Sequence, residues 1–126
     1  MTDIAEDWYR QVIDGTSYAV IAADEQGVIR VWNDAAGVLL GYTAAEALGH
    51  SVELVIPDSL QAAHGACYAR AMSGGRGYSR ANETTVPARC RDGTTMQIRG
   101  NLTVLQDNSG RVFGAALIVR LADEVP

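Results

Sequence analysis

The last third of the chain restricts the fold most. The segments SRANETTVPARC and TTMQIRGNLTVLQ flank Asp92-Gly93, a dipeptide suited to the left-handed backbone of a tight hairpin turn. In the second segment Met96, Ile98, Leu102 and Val104 fall on one side, and Gln97, Arg99, Asn101 and Thr103 on the other. That period-two alternation belongs to a half-buried strand. A further turn, DNSG, leads to RVFGAALIVRL. Three strands joined by turns this short must pair antiparallel, because a parallel crossover needs a dozen or more residues.

The front of the chain supplies two more strands. SYAVIAAD and VIRVWN bracket the turn DEQG and read as a β-hairpin. Asn33 or Asp34 then caps a short helix, DAAGVLL, which ends at Gly41. In TAAEAL, Thr43 and Glu46 have the spacing of a capping box, with Gly49 as the stop. After SVELVIP, Pro57 and Asp58 open the longest central helix, DSLQAAHGACYARAM, ended by Gly74 and Gly75. Ahead of everything, Asp3 caps an amphipathic helix in which Ile4, Trp8 and Val12 recur every four residues beside Ile13, until Gly15 stops it. Strands in runs, not alternating with helices, predict an α+β fold with an antiparallel sheet.

Composition narrows the function classes. A chain of 126 residues is one domain, and at that size folding buries roughly two thirds of the unfolded surface without a metal or disulfide staple. Fifteen acidic residues face ten arginines and no lysine, for a net charge of −5. Binding to nucleic acid or to an anionic membrane needs a basic face, and the arginines are scattered from Arg10 to Arg120. Neither partner is expected. No apolar run reaches the length of a membrane span, and the acidic start is no secretory signal, so the expected location is the cytoplasm. Cys67 and Cys90 lack metal-type spacing and are expected as free thiols. Gly74, Gly75 and Gly77 lack both the Walker spacing and a following lysine, which leaves them as a connection. Nothing resembles a G-x-S-x-G elbow or a paired-carboxylate site, so no enzyme is expected.

The words IAADEQGVIRVWNDAAGVLLGYTAAEALGHSV, IPDSLQAAH, ARCRDGTTMQI and SGRVFGAALIVR, in that order from about Ser17 to Arg120, resemble the PAS family. The resemblance implies a five-stranded antiparallel sheet with short helices on one face around a small cavity. It divides the chain into an N-terminal amphipathic helix (1–15), a PAS domain (16–122) and a C-terminal tail (123–126). Such modules sense a signal by binding haem, flavin or a metabolite, or hold no cofactor and dimerise. Two departures stand out. The D-[IV]-T exit motif is replaced by RLADEVP, so the signal leaves through a surface or the segment belongs to something longer. The flavin photoreceptors' NCRFLQ-like word is absent, so no flavin–thiol adduct is expected.

His64 is the most informative candidate. Leu60, His64, Cys67 and Ala71 fall on one helix face, and a buried imidazole needs a partner for each ring nitrogen. IPDSLQAAHGACYAR also resembles the haem-binding helix of FixL-type oxygen sensors, where a histidine seven residues after the proline ligates iron and an arginine six residues later meets a propionate. Those roles fall on His64, as metal ligand, and Arg70. The distal arginine of that family is replaced by Thr84, and a distal apolar pair maps to Gly100 and Leu102, where the glycine is expected to leave extra space or let water in. Cys67 and Tyr68 complete the candidate cofactor site. The expected cofactor is haem b, with gas or redox sensing, and otherwise another small ligand or none; the alternative function is a cofactor-free dimerisation module in which His64 is hydrogen-bonded in the core. Cys67 is either a redox thiol or a small buried hydrophobe. His50 is expected at the surface, and Tyr42 in packing or on the cavity wall. The expected partners are a second copy, through Ile4, Trp8 and Val12, and a downstream signalling protein; the helix folding back onto its own sheet is the other outcome for that stripe.

Overall fold

Five strands form one antiparallel sheet: β1 (Ala19–Asp24), β2 (Ile29–Trp32), β3 (Thr84–Arg89), β4 (Thr95–Gln106) and β5 (Val112–Leu121), in the order β2-β1-β5-β4-β3. The computed structural model describes residues 4–74 and 83–122. The Asp3 cap, Gly75 and Gly77, the beginning of SRANETTVPARC and the 123–126 tail lie outside the described residues. The last strand is central because it pairs with both the first hairpin and the second, which closes the sheet through contacts distant in sequence.

Register decides which side chains face inward. Ile21 lies opposite Leu117 and Ala23 opposite Ala115, while Leu102 meets Leu117 from the other side. On the far edge Val86 faces Ile98 and Thr84 faces Gly100. Strand period two then puts all of these on one face of the sheet.

Four helices are described: α1 (Ile4–Gly15), α2 (Asp34–Leu40), α3 (Ala44–Ala47) and α4 (Gln61–Met72), with 3-10 turns at Val52–Val55 and Asp58–Leu60. Asn33, not Asp34, caps α2, its side chain accepting from the Ala36 N–H. Thr43 and Glu46 form the reciprocal capping box of α3. The central helix begins later than the sequence suggests. Pro57 and Asp58 lead into a 3-10 turn, and α4 starts at Gln61, whose side-chain amide donates to the Glu53 and Ile56 carbonyls.

The helices α2 and α3 press on β1 and β2. They close a core that includes Ile29, Trp32, Ala36, Leu40 and Ala47. The Trp32 indole donates to the Tyr42 carbonyl at 2.9 Å and meets the Tyr42 ring edge-on. Tyr42 therefore packs and does not line the cavity.

The N-terminal helix does not fold back to bury its stripe. Ile4, Trp8 and Val12 are 73%, 71% and 66% exposed, and no residue of α1 is buried. It is tied to the core at its C-terminal end, where the Asn33 amide donates to the Ile13 carbonyl at 2.6 Å. No helix among the described residues is long and apolar enough to cross a membrane.

Candidate functional site

While α2 and α3 fill the space over β1 and β2, α4 stands off the rest of the sheet and leaves a cavity of about 580 Å³. Its floor is the inward sheet face, with Ile21 and Ala23 from β1, Ile98 and Leu102 from β4, and Ala115 and Leu117 from β5. Thr84, Val86 and Ala88 form the β3 side. The roof is Val52, Val55 and Ile56, then Leu60 at the end of the second 3-10 turn, and Ala63, His64, Cys67 and Tyr68 along α4. Such a space lies within the range of small-molecule sites, which are largely apolar with a few placed polar groups.

The α4 wall carries those groups. The Tyr68 ring is buried, and its hydroxyl crosses to the sheet, donating to the Asp24 carbonyl at 2.5 Å and the Ala23 carbonyl at 3.1 Å. This strut joins the helix to the turn that ends β1. There Asp24 accepts from the Gln26 and Val28 N–H groups and pairs with Arg30 at 2.8 Å. Burial raises the Asp24 carboxyl, but the Val28 N–H, the Arg30 guanidinium and the Gln26 N–H outweigh it and hold it below the ordinary carboxylate value.

His64 sits one turn before Tyr68 and stacks on it, with ring centroids 5.8 Å apart and planes 27° off parallel. It is half-buried, and neither ring nitrogen has a hydrogen-bond partner among the described residues. Burial depresses its pKa from the usual 6.5 by penalising the charged form, and the Glu53 carboxylate opposes this only in part. At neutral pH the imidazole is therefore uncharged, with one donor and one acceptor available.

The cavity collects His64, Cys67, Tyr68, Thr84 and Leu102 from the seven positions singled out in the sequence. Two lie elsewhere. Arg70 is exposed and absent from the cavity lining, because it is half a helical turn past Tyr68 on the opposite face. Gly100 does not open extra space: a Cβ there would run into the Ile118 carbonyl and the Val119 Cα of the neighbouring strand. The glycine lets β4 and β5 approach closely. Cys67 is half-buried at the cavity wall, whereas Cys90 is buried in the core, and both are free thiols. His50 is exposed. The Tyr68 strut was not legible beforehand, since its acceptors lie more than forty residues away in sequence.

The family model described as the PAS fold matches residues 8–121. Among solved structures, the chain is similar to a PAS domain of a protein from Colwellia psychrerythraea, with 21% identity and a TM-score of 0.72 over 94% of this chain and 97% of that one. A PAS domain of an HTR-like protein from Haloarcula marismortui gives 22% identity and a TM-score of 0.69 over 93% and 91%. One from a two-component sensor histidine kinase gives 16% and 0.71 over 94% and 96%. At these identities the likeness is one of fold. No curated protein matches the chain.

Proposed function

The chain belongs to the PAS family, whose domains are generally sensory modules in signalling proteins, and on that premise we propose that it is a sensor, not an enzyme, taking a small, largely apolar ligand beneath α4 with His64 as its polar contact. The observation that carries this is the cavity of about 580 Å³ with an imidazole on its wall whose ring nitrogens have no hydrogen-bond partner among the described residues. An aliphatic cavity favours a ligand through the water it releases, and the imidazole fixes orientation. Occupancy would press on α4 and be felt at β1 through the Tyr68 strut.

The relay is a contact between two copies through α1, leading to a downstream signalling protein. Its support is the uncovered stripe of Ile4, Trp8 and Val12. Sedimentation at several concentrations, comparing wild type with Trp8→Glu, tests it; a monomer for both proteins sinks the dimer.

Haem b is a second reading, favoured by His64 alone. An imidazole on an apolar wall suits an axial iron ligand, and haem there would supply gas or redox chemistry. Arg70 is exposed away from the cavity, and no arginine is among the cavity-lining residues described. The residues present thus fit the iron and not the propionates. Titration with hemin decides: a sharp Soret band in wild type, lost in His64→Ala, supports haem, and a broad spectrum of free hemin in both excludes it. Native mass spectrometry of protein purified from cells tests the sensor proposal itself. A bound small molecule supports it, whereas a cavity that no ligand enters leaves a cofactor-free interaction module.

A further inference from the structure

The polar inventory of the cavity restricts what can enter it. No lysine, arginine, aspartate or glutamate is among the residues that line it. A carboxylate or phosphate placed there would lose its water and meet no fixed cation, and an ammonium group would meet no fixed anion. A wholly apolar molecule can enter but leaves the His64 nitrogens stripped of water and unpartnered, which is costly.

The polar groups differ in availability. The Tyr68 hydroxyl is committed to the Ala23 and Asp24 carbonyls. The Thr84 hydroxyl and the His64 imidazole face the cavity with no side-chain hydrogen bond among the described residues. The imidazole both donates and accepts, as does a hydroxyl group.

Resting on the ligand reading above, we infer that the site takes a neutral, predominantly apolar molecule bearing one hydroxyl group, a phenol-like compound, held at that hydroxyl by His64. Burial keeps the imidazole uncharged and therefore able to accept a hydrogen bond from the hydroxyl. Acid removes that acceptor. The charged or titratable groups around His64 are Glu53 from the preceding 3-10 turn and Cys67 and Tyr68 on α4. The cavity-lining residues of β1, β3, β4 and β5 carry none. Glu53 favours the imidazolium and burial outweighs it, so binding holds at neutral pH and weakens as His64 takes up a proton.

Three probes of one ring system separate the possibilities: naphthol, naphthalene and naphthoate, titrated into the whole chain by calorimetry, with amide NMR shifts along α4 locating the site. Naphthol is expected to bind at least tenfold more tightly than either of the others at pH 7.5, and to lose most of that advantage at pH 5. His64→Phe, which keeps a ring against Tyr68, is expected to bind naphthol and naphthalene alike. His64→Gln, whose amide still donates and accepts, is expected to restore part of the preference. Equal binding of naphthol and naphthalene by wild type, tightest binding of naphthoate, or a preference that survives His64→Phe overturns the inference and leaves the cavity reading standing. Failure of all three probes overturns both.

Discussion

Replacing Asn33 by alanine should cost more than any other single polar truncation among the described residues. Asn33 is 1% exposed and is the only buried polar or charged residue among those described. Its Oδ1 accepts from the Val20 N–H at 2.9 Å and the Ala36 N–H at 3.0 Å. Its Nδ2 donates to the Ile13 carbonyl at 2.6 Å and the Tyr18 carbonyl at 2.9 Å. One side chain thus caps α2, extends the β1 edge and anchors the end of α1. Alanine orphans all four groups. The Ala36 N–H is fully buried, and stranding such a donor costs about 1–3 kcal/mol. The Val20, Ile13 and Tyr18 groups are half-buried and recover some hydration, so they add roughly 0.5–1 kcal/mol each. The total is about 4 kcal/mol, a large share of the roughly 5–15 kcal/mol that holds a typical domain. Urea unfolding followed by circular dichroism measures it. Asn33→Asp refines the comparison: it keeps both acceptor bonds but turns an unprotonated oxygen toward two carbonyls. It should be destabilised at pH 7 and partly recover near pH 5, as the carboxyl gains a proton to donate. A loss below about 1 kcal/mol for Asn33→Ala would refute this account and mean that water or the backbone replaces the side chain.

Tyr68→Phe removes the strut while keeping the ring against His64, and should cost about 0.5–1.5 kcal/mol for the lost hydroxyl bonds, the Asp24 carbonyl keeping the Gly27 N–H as a donor; unchanged urea unfolding would mean that the strut adds nothing to stability. Gly100→Ala forces a Cβ into the β5 backbone, which cannot swing aside as a side chain can, so a loss of at least about 1–3 kcal/mol is expected. An unaltered melting temperature there would show that the strands spread freely. The depressed His64 pKa means the unfolded chain binds that proton first, so stability is full above about pH 6.5 and declines as pH falls through that value. His64→Phe should flatten this decline while leaving the acid loss below pH 4, where Asp24, Asp92 and Asp107, each held below its usual 3.8, become protonated; identical pH profiles for the two proteins would contradict it.

The sequence alone determined the elements and their order, because each is set by neighbours along the chain. Asn33 or Asp34 before an apolar run, Thr43 with Glu46, and Asp92-Gly93 between alternating segments act over two to four residues, and their chemistry is the same before and after folding. The inward face of the central helix was legible for the same reason: helical period put Leu60, His64, Cys67 and Ala71 together; the first three line the cavity, and Ala71 is buried without lining it. Tertiary structure decided what depends on strands meeting. Gly100 looked like space beside a ligand, but register sets it against the Ile118 and Val119 backbone, where the missing Cβ serves sheet packing. Arg70 matched a spacing, yet a helix rotates about 100° per residue, so it faces away from the cavity that Tyr68 adjoins. The choice of Asn33 over Asp34, and its four partners from Ile13 to Ala36, required α1, β1 and α2 to converge on one buried point. A local pattern names a cap, and only packing decides whether its remaining polar atoms meet water or backbone.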